Sequence, residues 1–191
     1  MTIEFNERRA AQALAWLLSR GGAMAGFRLL HLLYRAERLS LQRYGEPITG
    51  DLFVAGGLGP LHSKTIGILG QVTARAPGEL TSWIRCTPDY WCDLAVPGMP
   101  ADIRERLLAL SDSDVECLDE VWATHGHLYT LELAQRLKAG ELPEWNPALP
   151  SGTPIDHSAI LRAGGWKPDA VAAMLRQQAE QAEISRTFAA P

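Results

Sequence analysis

The residues nearest to a metal-binding set are His125-Gly126-His127 together with Cys86 or Cys92. Structural zinc takes four close Cys or His ligands in tetrahedral reach, commonly as near-neighbour pairs. Cys86 and Cys92 instead lie six apart across a segment that reads as a hairpin, where they are free to face opposite sides of a sheet. No C-x-x-C step occurs. The set is therefore not read as a metal centre, and no cofactor is expected. Nucleophilic catalysis would need a Ser or Cys with a base and an orienting group. His31, His62, His125, His127 and His157 are the available bases, but no nucleophile elbow or cysteine-protease context accompanies them. No catalytic residue is assigned.

Two other patterns invite a binding role. Gly56-Gly57-Leu58-Gly59-Pro60 has the look of a phosphate loop. It lacks the Gly-Lys-Ser/Thr ending, and Pro60 removes one of the helix amides that would hold a phosphate. The stretch is read as a turn with close backbone approach, followed by a helix that Pro60 opens. Arg28, Arg35 and Arg38 fall on related turns of one helix. They are either a solvated edge of that helix or anchors for a partner, where arginine is enriched. Trp145 and Trp166, beside Pro or Gly, are the tryptophans placed to touch a partner; Trp16, Trp83, Trp91 and Trp122 sit in core-like patterns.

The elements that position these groups follow from periodicity and punctuation. Asn6 caps a first helix with an apolar stripe of Ala10, Leu14, Leu17 and Leu18, ended at Gly21-Gly22. A second helix, near 23–43, is apolar on more than one side through Phe27, Leu29, Leu30, Leu32, Leu33 and Tyr34, so it is central. His31 lies among those leucines and is read as a packed residue. Residues 51–55 form a short strand, and Leu61, Ile66 and Leu69 form the buried face of the helix after Pro60. Trp83–Cys86 and Tyr90–Leu94 flank Thr87-Pro88-Asp89 as a hairpin. Helices follow near 101–110, after Ser111-Asp112-Ser113-Asp114 with Ser113 and Glu116 as a capping box, and from Thr130 to Leu137. A proline-punctuated loop leads to a short helix capped by Asp156 and a last one opened by Pro168. The fold class is mainly α (α+β), with about seven to eight helices and a small antiparallel hairpin or three-stranded sheet.

Composition bounds the function. The 191 residues carry a net charge of −4, which argues against a general nucleic-acid binder, and 47% hydrophobic content fits a globular domain. No run approaches the ~18 to 20 apolar residues that span a bilayer. The N-terminus shows no secretory pattern, so a cytoplasmic location is expected, with the three cysteines reduced and buried. Residues 1–50 hold seven Arg against four Glu, while 111–145 hold eight acids against two bases. Such a dipole either steers a charged partner or reflects ordinary solvated faces.

Three ordered segments carry a family resemblance. Leu29-Leu30-His31-Leu32-Leu33-Tyr34-Arg35-Ala36-Glu37-Arg38 resembles a "KLLYFADR" helix, with His31 in place of Lys. Gly45-Glu46-Pro47-Ile48-Thr49-Gly50-Asp51, with Gly59-Pro60 after it, is similar to a "G-x-P-I-T-G-D … G-P" run. The third comprises 110–122, His125-Gly126, Pro143-Glu144-Trp145 and Pro154-Ile155, with Leu137-Lys138 where many relatives show Thr-His. Together they resemble the Panacea domain of SocA-like antitoxins. The resemblance implies a domain over 1–166, with 167–191 a C-terminal helix or tail either belonging to it or appended. It also implies a prokaryotic or phage-borne antitoxin that binds a protein toxin encoded beside it, by occlusion or by delivery to a cytoplasmic protease. Arg28, Arg35, Arg38, Gly59, Pro60 and Trp145 are the partner-binding candidates. A phage or host interaction protein sharing only the fold, and a small hydrolase or nuclease using the histidines, are the rival readings.

Overall fold

A computed structural model describes residues 4–73, 78–95 and 103–189. Seven α-helices and two three-stranded antiparallel sheets make up the described residues, so the fold is mainly α, with a second sheet beyond the one expected. Helix α1 (Glu7–Gly21) starts where Asn6 accepts the Arg9 amide, and Gly22 ends it with a left-handed φ of 67°. Strand β1 (Met24–Ala25) leads directly into α2 (Gly26–Tyr44), which Gly45 closes at φ 75°. That helix is buried along most of its length: Leu29, Leu32, Leu33, Tyr34 and Ala36 have no exposed surface, and Leu30 only 3%. It packs on α1 and on α4 (Asp112–His125). Leu33→Ala removes a large side chain from this centre and is expected to cost roughly 2–5 kcal/mol, measured as a fall in unfolding free energy.

Beyond α2, the expected short strand is found at 53–56, but the Pro60-opened helix is not. Strands β2 (Phe53–Gly56) and β3 (Gly59–His62) form a hairpin, and β6 (Pro154–Ile155) pairs on the other side of β2. Pro60 is therefore a strand residue, not the first turn of a helix. Gly56 pairs with Gly59, so Pro60 lies where its missing N–H would point away from β2. Pro154 takes the same position on β6. A proline thus guards each edge of this sheet against further pairing. Helix α3 (Thr65–Thr73) begins five residues after Pro60, and Ile66 is 38% exposed rather than buried; Leu69 is buried as expected.

The other sheet runs β1–β5–β4, with β4 (Ile84–Cys86) and β5 (Trp91–Leu94) forming the expected hairpin. Cys86 and Cys92 are register partners, 4.2 Å apart at Cα, and are joined as a disulfide. They share one face, contrary to the expectation of reduced cysteines on opposite sides. Adjacent residues in a strand alternate faces, but positions six apart across a tight turn can pair directly. Trp91 is turned outward and 52% exposed, not in the core.

The helix expected near 101–110 is a single 3-10 turn, Ile103–Arg106, in its described part. The capping box of α4 uses Ser111 and Asp114, two residues before the expected Ser113 and Glu116, because Asp114 also meets Arg9 from α1. Helix α5 (Thr130–Lys138) is preceded by Tyr129, whose amide the Glu132 carboxylate accepts at 2.8 Å. Asp156 caps α6 (His157–Ala163), and α7 (Pro168–Ala189) packs on the end of α2, where Gln178 donates to the Gly45 carbonyl. A larger core gathers α1, α2, α4 and the β4–β5 hairpin; a smaller one joins Tyr34, Leu41, Phe53, Leu137, Leu142, Trp145, Ile155 and Ile160.

Candidate functional site

The conspicuous motifs converge on α2, and most of their polar groups are turned inward. Glu37 has no exposed surface. Its carboxylate accepts the Ile48 amide at 2.6 Å, the Thr49 amide at 2.9 Å and the Thr49 hydroxyl. Burial pushes its pKa up to about 7, although these donors pull the other way. Asp51, equally buried, accepts the amides of Leu52, Lys64 and Thr65 and the Thr65 hydroxyl, and so caps α3 from a distance. The Pro-Ile-Thr-Gly-Asp run is thus a turn whose orphan amides are met by two buried acids. Gly50 takes φ 70°, which suits glycine. Gly59, at φ 141°, lies against the His31 ring and Leu137, leaving no room for a Cβ. The expected close backbone approach is found there.

Arg35 and Arg38 reach from α2 to the segment after α5. Arg35, 5% exposed, donates from both terminal nitrogens to Glu141, each at 2.8 Å. Arg38 Nε donates to Glu144 Oε1 at 2.8 Å, and the Tyr34 hydroxyl donates to the same oxygen at 3.0 Å. The Glu144 side chain has no exposed surface. Burial, then the Glu144 charge, raises the Tyr34 pKa well above its ordinary value. His125 adds a third contact: its Nε2 lies 3.1 Å from Arg35 Nη1, and its Nδ1 lies 2.7 Å from Thr124 Oγ1. The Thr124 hydroxyl donates in turn to the Glu120 carbonyl at 2.8 Å. The same Nε2 also lies 3.2 Å from Glu141 Oε1, so the ring stands against both members of the Arg35–Glu141 pair. Burial and the Arg35 charge lower its pKa.

Arg35, Arg38, Glu120, Thr124 and His125 line a cleft of about 200 Å³ between α2 and α4, together with Leu39, Val121 and Leu142. Arg38 is 20% exposed at its side chain and Thr124 is exposed, so both reach the mouth. The other partner-binding candidates lie elsewhere. Arg28 donates to the carbonyls of Leu128 and Gly126 beside the Trp122 and Tyr129 rings, and so fastens the turn between α4 and α5. Trp145 is 2% exposed, in the smaller core rather than at the surface. Trp166 is half-buried and donates its indole N–H to the Gln42 carbonyl at 2.9 Å. Gly59 and Pro60 are buried.

The charge asymmetry along the sequence is consumed within the fold. Arg9 meets Asp114, Arg20 meets Asp119, Arg35 meets Glu141, Arg38 meets Glu144, and Arg43 meets both Glu116 and Glu120. Basic residues of α1 and α2 thus face acids of α4 and the segment beyond α5. These ion pairs join the two stretches to each other, with Asp114, Arg35 and Glu144 buried and the Arg20 and Arg43 pairs at the surface. Its sequence signal was the near-match in number between the two oppositely charged stretches.

His31 is packed in the interior as expected, whereas the burial of His62 and His157 was missed from the sequence. His31, His62 and His157 are 1%, 0% and 7% exposed; His62 and His157 pack on Phe53, His62 also faces Tyr34, and His31 packs on Phe27. Burial lowers the pKa of His31 to about 3 and of His62 to about 4, and lowers that of His157. Among the described residues, no group of three or more His, Cys, Asp and Glu is arranged to hold a metal ion. The sulfurs of Cys86 and Cys92 are bonded to each other rather than free to join His125.

No curated protein and no solved structure matches the chain. Residues 29–146, well over half of its length, match the family described as antitoxin SocA-like, Panacea domain. The matched span contains α2 from Leu29 onward with Arg35, Arg38 and Arg43, the buried-acid turn, the Gly59-Pro60 strand and the whole α2–α4 cleft; Arg28 lies just before it. The chain belongs to the SocA-like antitoxin, Panacea domain family.

Proposed function

We propose that this protein is an antitoxin that neutralises a protein toxin by binding it directly, and that it acts without catalysis of its own. Family membership over residues 29–146 carries the reading. The bidentate Arg35–Glu141 pair, with His125 against both members, fits it as an internal brace between α2, α4 and the segment after α5. We assign the contact face to the mouth of the α2–α4 cleft, where Arg38, Leu39, Glu120 and Thr124 reach the surface. Arg35 and Trp145 act from beneath, by fixing the segment that closes the cleft.

The toxin is expected to be the product of an adjacent gene. Co-expression should restore growth, and the two chains should co-purify. Thr124→Arg places a long cation in the cleft mouth and should weaken the complex by about tenfold or more, the equivalent of ~1.4 kcal/mol, with little change in melting temperature. Unchanged affinity would remove the cleft from the interface. Failure of the wild-type chain to relieve toxicity of any neighbouring product would end the antitoxin reading.

A further inference from the structure

Cys86 and Cys92 sit where exchange chemistry is possible without unfolding. They occupy a narrow register pair, flanked by hydrogen bonds from Thr87 to Trp91 at 2.9 Å and from Ala95 to Trp83 at 2.8 Å. The Arg85–Asp93 ion pair spans the same hairpin at 2.7 Å. Backbone bonds and this ion pair hold the register with or without a sulfur bridge. The two sulfurs differ in access. Cys92 is fully buried, whereas Cys86 is half-buried and lines a cavity of about 860 Å³ with Val72, Thr81, Pro88 and Trp91. Cys117, the remaining cysteine, is buried alone, and burial pushes its thiol up to about 11.

We propose that Cys86 and Cys92 form a reversible redox modification site, whose dithiol and disulfide forms interconvert in the folded protein by exchange with a low-molecular-weight disulfide of the glutathione class. In the oxidising direction the Cys86 thiolate attacks one sulfur of the small disulfide. A mixed disulfide forms and one small thiolate leaves. The Cys92 thiolate then attacks the Cys86 sulfur, closes the intrachain bond and expels the second thiolate. Two protein thiols are oxidised and one small disulfide is reduced to two thiols, the two protons passing through solvent from the protein thiols to the leaving thiolates. The open cavity admits the reagent to Cys86, and the buried register partner resolves it. The bond tethers the hairpin that presents Tyr90 and Trp91, which are 50% and 52% exposed, so oxidation restrains the motion of that tip.

The full-length protein, equilibrated in glutathione buffers of varied ratio, acid-quenched, alkylated and weighed, tests this. One transition is expected, with the ratio of bridged to reduced protein rising about tenfold for each tenfold rise in oxidised glutathione at fixed reduced glutathione. Cys117 should stay unmodified in the native state. Cys92→Ser should accumulate glutathione on Cys86, and hydrogen exchange across residues 87–92 should be faster in reduced wild type. A bridge that resists excess reduced glutathione until the protein unfolds would make it a structural staple and overturn the proposal. A pair that stays reduced in oxidised glutathione would overturn it too. Faster trapping at Cys92 in Cys86→Ser than at Cys86 in Cys92→Ser would overturn the order of attack.

Discussion

Arg38→Ala is expected to destabilise the protein by about 3–5 kcal/mol, the range for breaking one side of a buried ion pair. Its partner Glu144 has no exposed side-chain surface, and after the substitution the Tyr34 hydroxyl is the donor left to that carboxylate. The cost comes from the stranded charge, not from the lost attraction alone. Glu144→Gln should therefore recover a good part of the loss in the double variant, and a double-mutant cycle by urea unfolding measures the coupling. Arg43→Ala is the control. Its pairs with Glu116 and Glu120 lie at the surface, and removing it should change stability by less than about 1 kcal/mol. Equal losses at Arg38 and Arg43 would refute the distinction. An arginine surface that tolerates charge reversal is thus not what α2 offers at this position.

Acid should unfold this protein well before its surface carboxylates are all protonated. His31, His62, His125 and His157 all have folded pKa values below that of an unfolded histidine, so the unfolded chain takes up their protons first. Stability is then fully present above about pH 6.5 and is lost as pH falls toward the folded values of about 4 for His62 and about 3 for His31. Each histidine contributes a slope of up to about 1.4 kcal/mol per pH unit in that window. Glu37 acts with the opposite sign. Its folded pKa of about 7 exceeds the unfolded value, so it adds stability as pH falls through 7, which offsets one histidine. The lowered pKa values of Glu141 and Asp156 add to the acid loss at the lower end. Unfolding free energy measured from pH 7.5 to 4 should fall steadily. In His62→Leu the slope should be shallower by about one proton. A flat profile in the wild type, or an unchanged slope in the variant, would contradict the burial of these rings as neutral groups.

The sequence by itself determined the elements whose signals are local. The Asn6 cap, the glycine stop at 22, the apolar breadth of α2, the Thr87-Pro88-Asp89 turn and the Asp156 cap each act within a few residues, and each is where it was expected. The order of the family motifs was equally legible, because a motif is a string. The tertiary structure decided which way the polar groups of those motifs face. Arginines about one turn apart look alike on a helix drawn alone; only the return of 141–145 across α2 makes Arg35 and Arg38 interior partners of Glu141 and Glu144. Pro60 suits a helix start or a strand edge equally by its fixed φ and missing N–H, and pairing with β2 selected the edge. The same holds for Trp145 and Trp91, whose local contexts suggested surface and core and whose burial is the reverse. Burial depends on what packs from far along the chain. In this protein the oppositely charged stretches 1–50 and 111–145 meet each other, and that long-range match turns what reads as a charged surface into internal bracing.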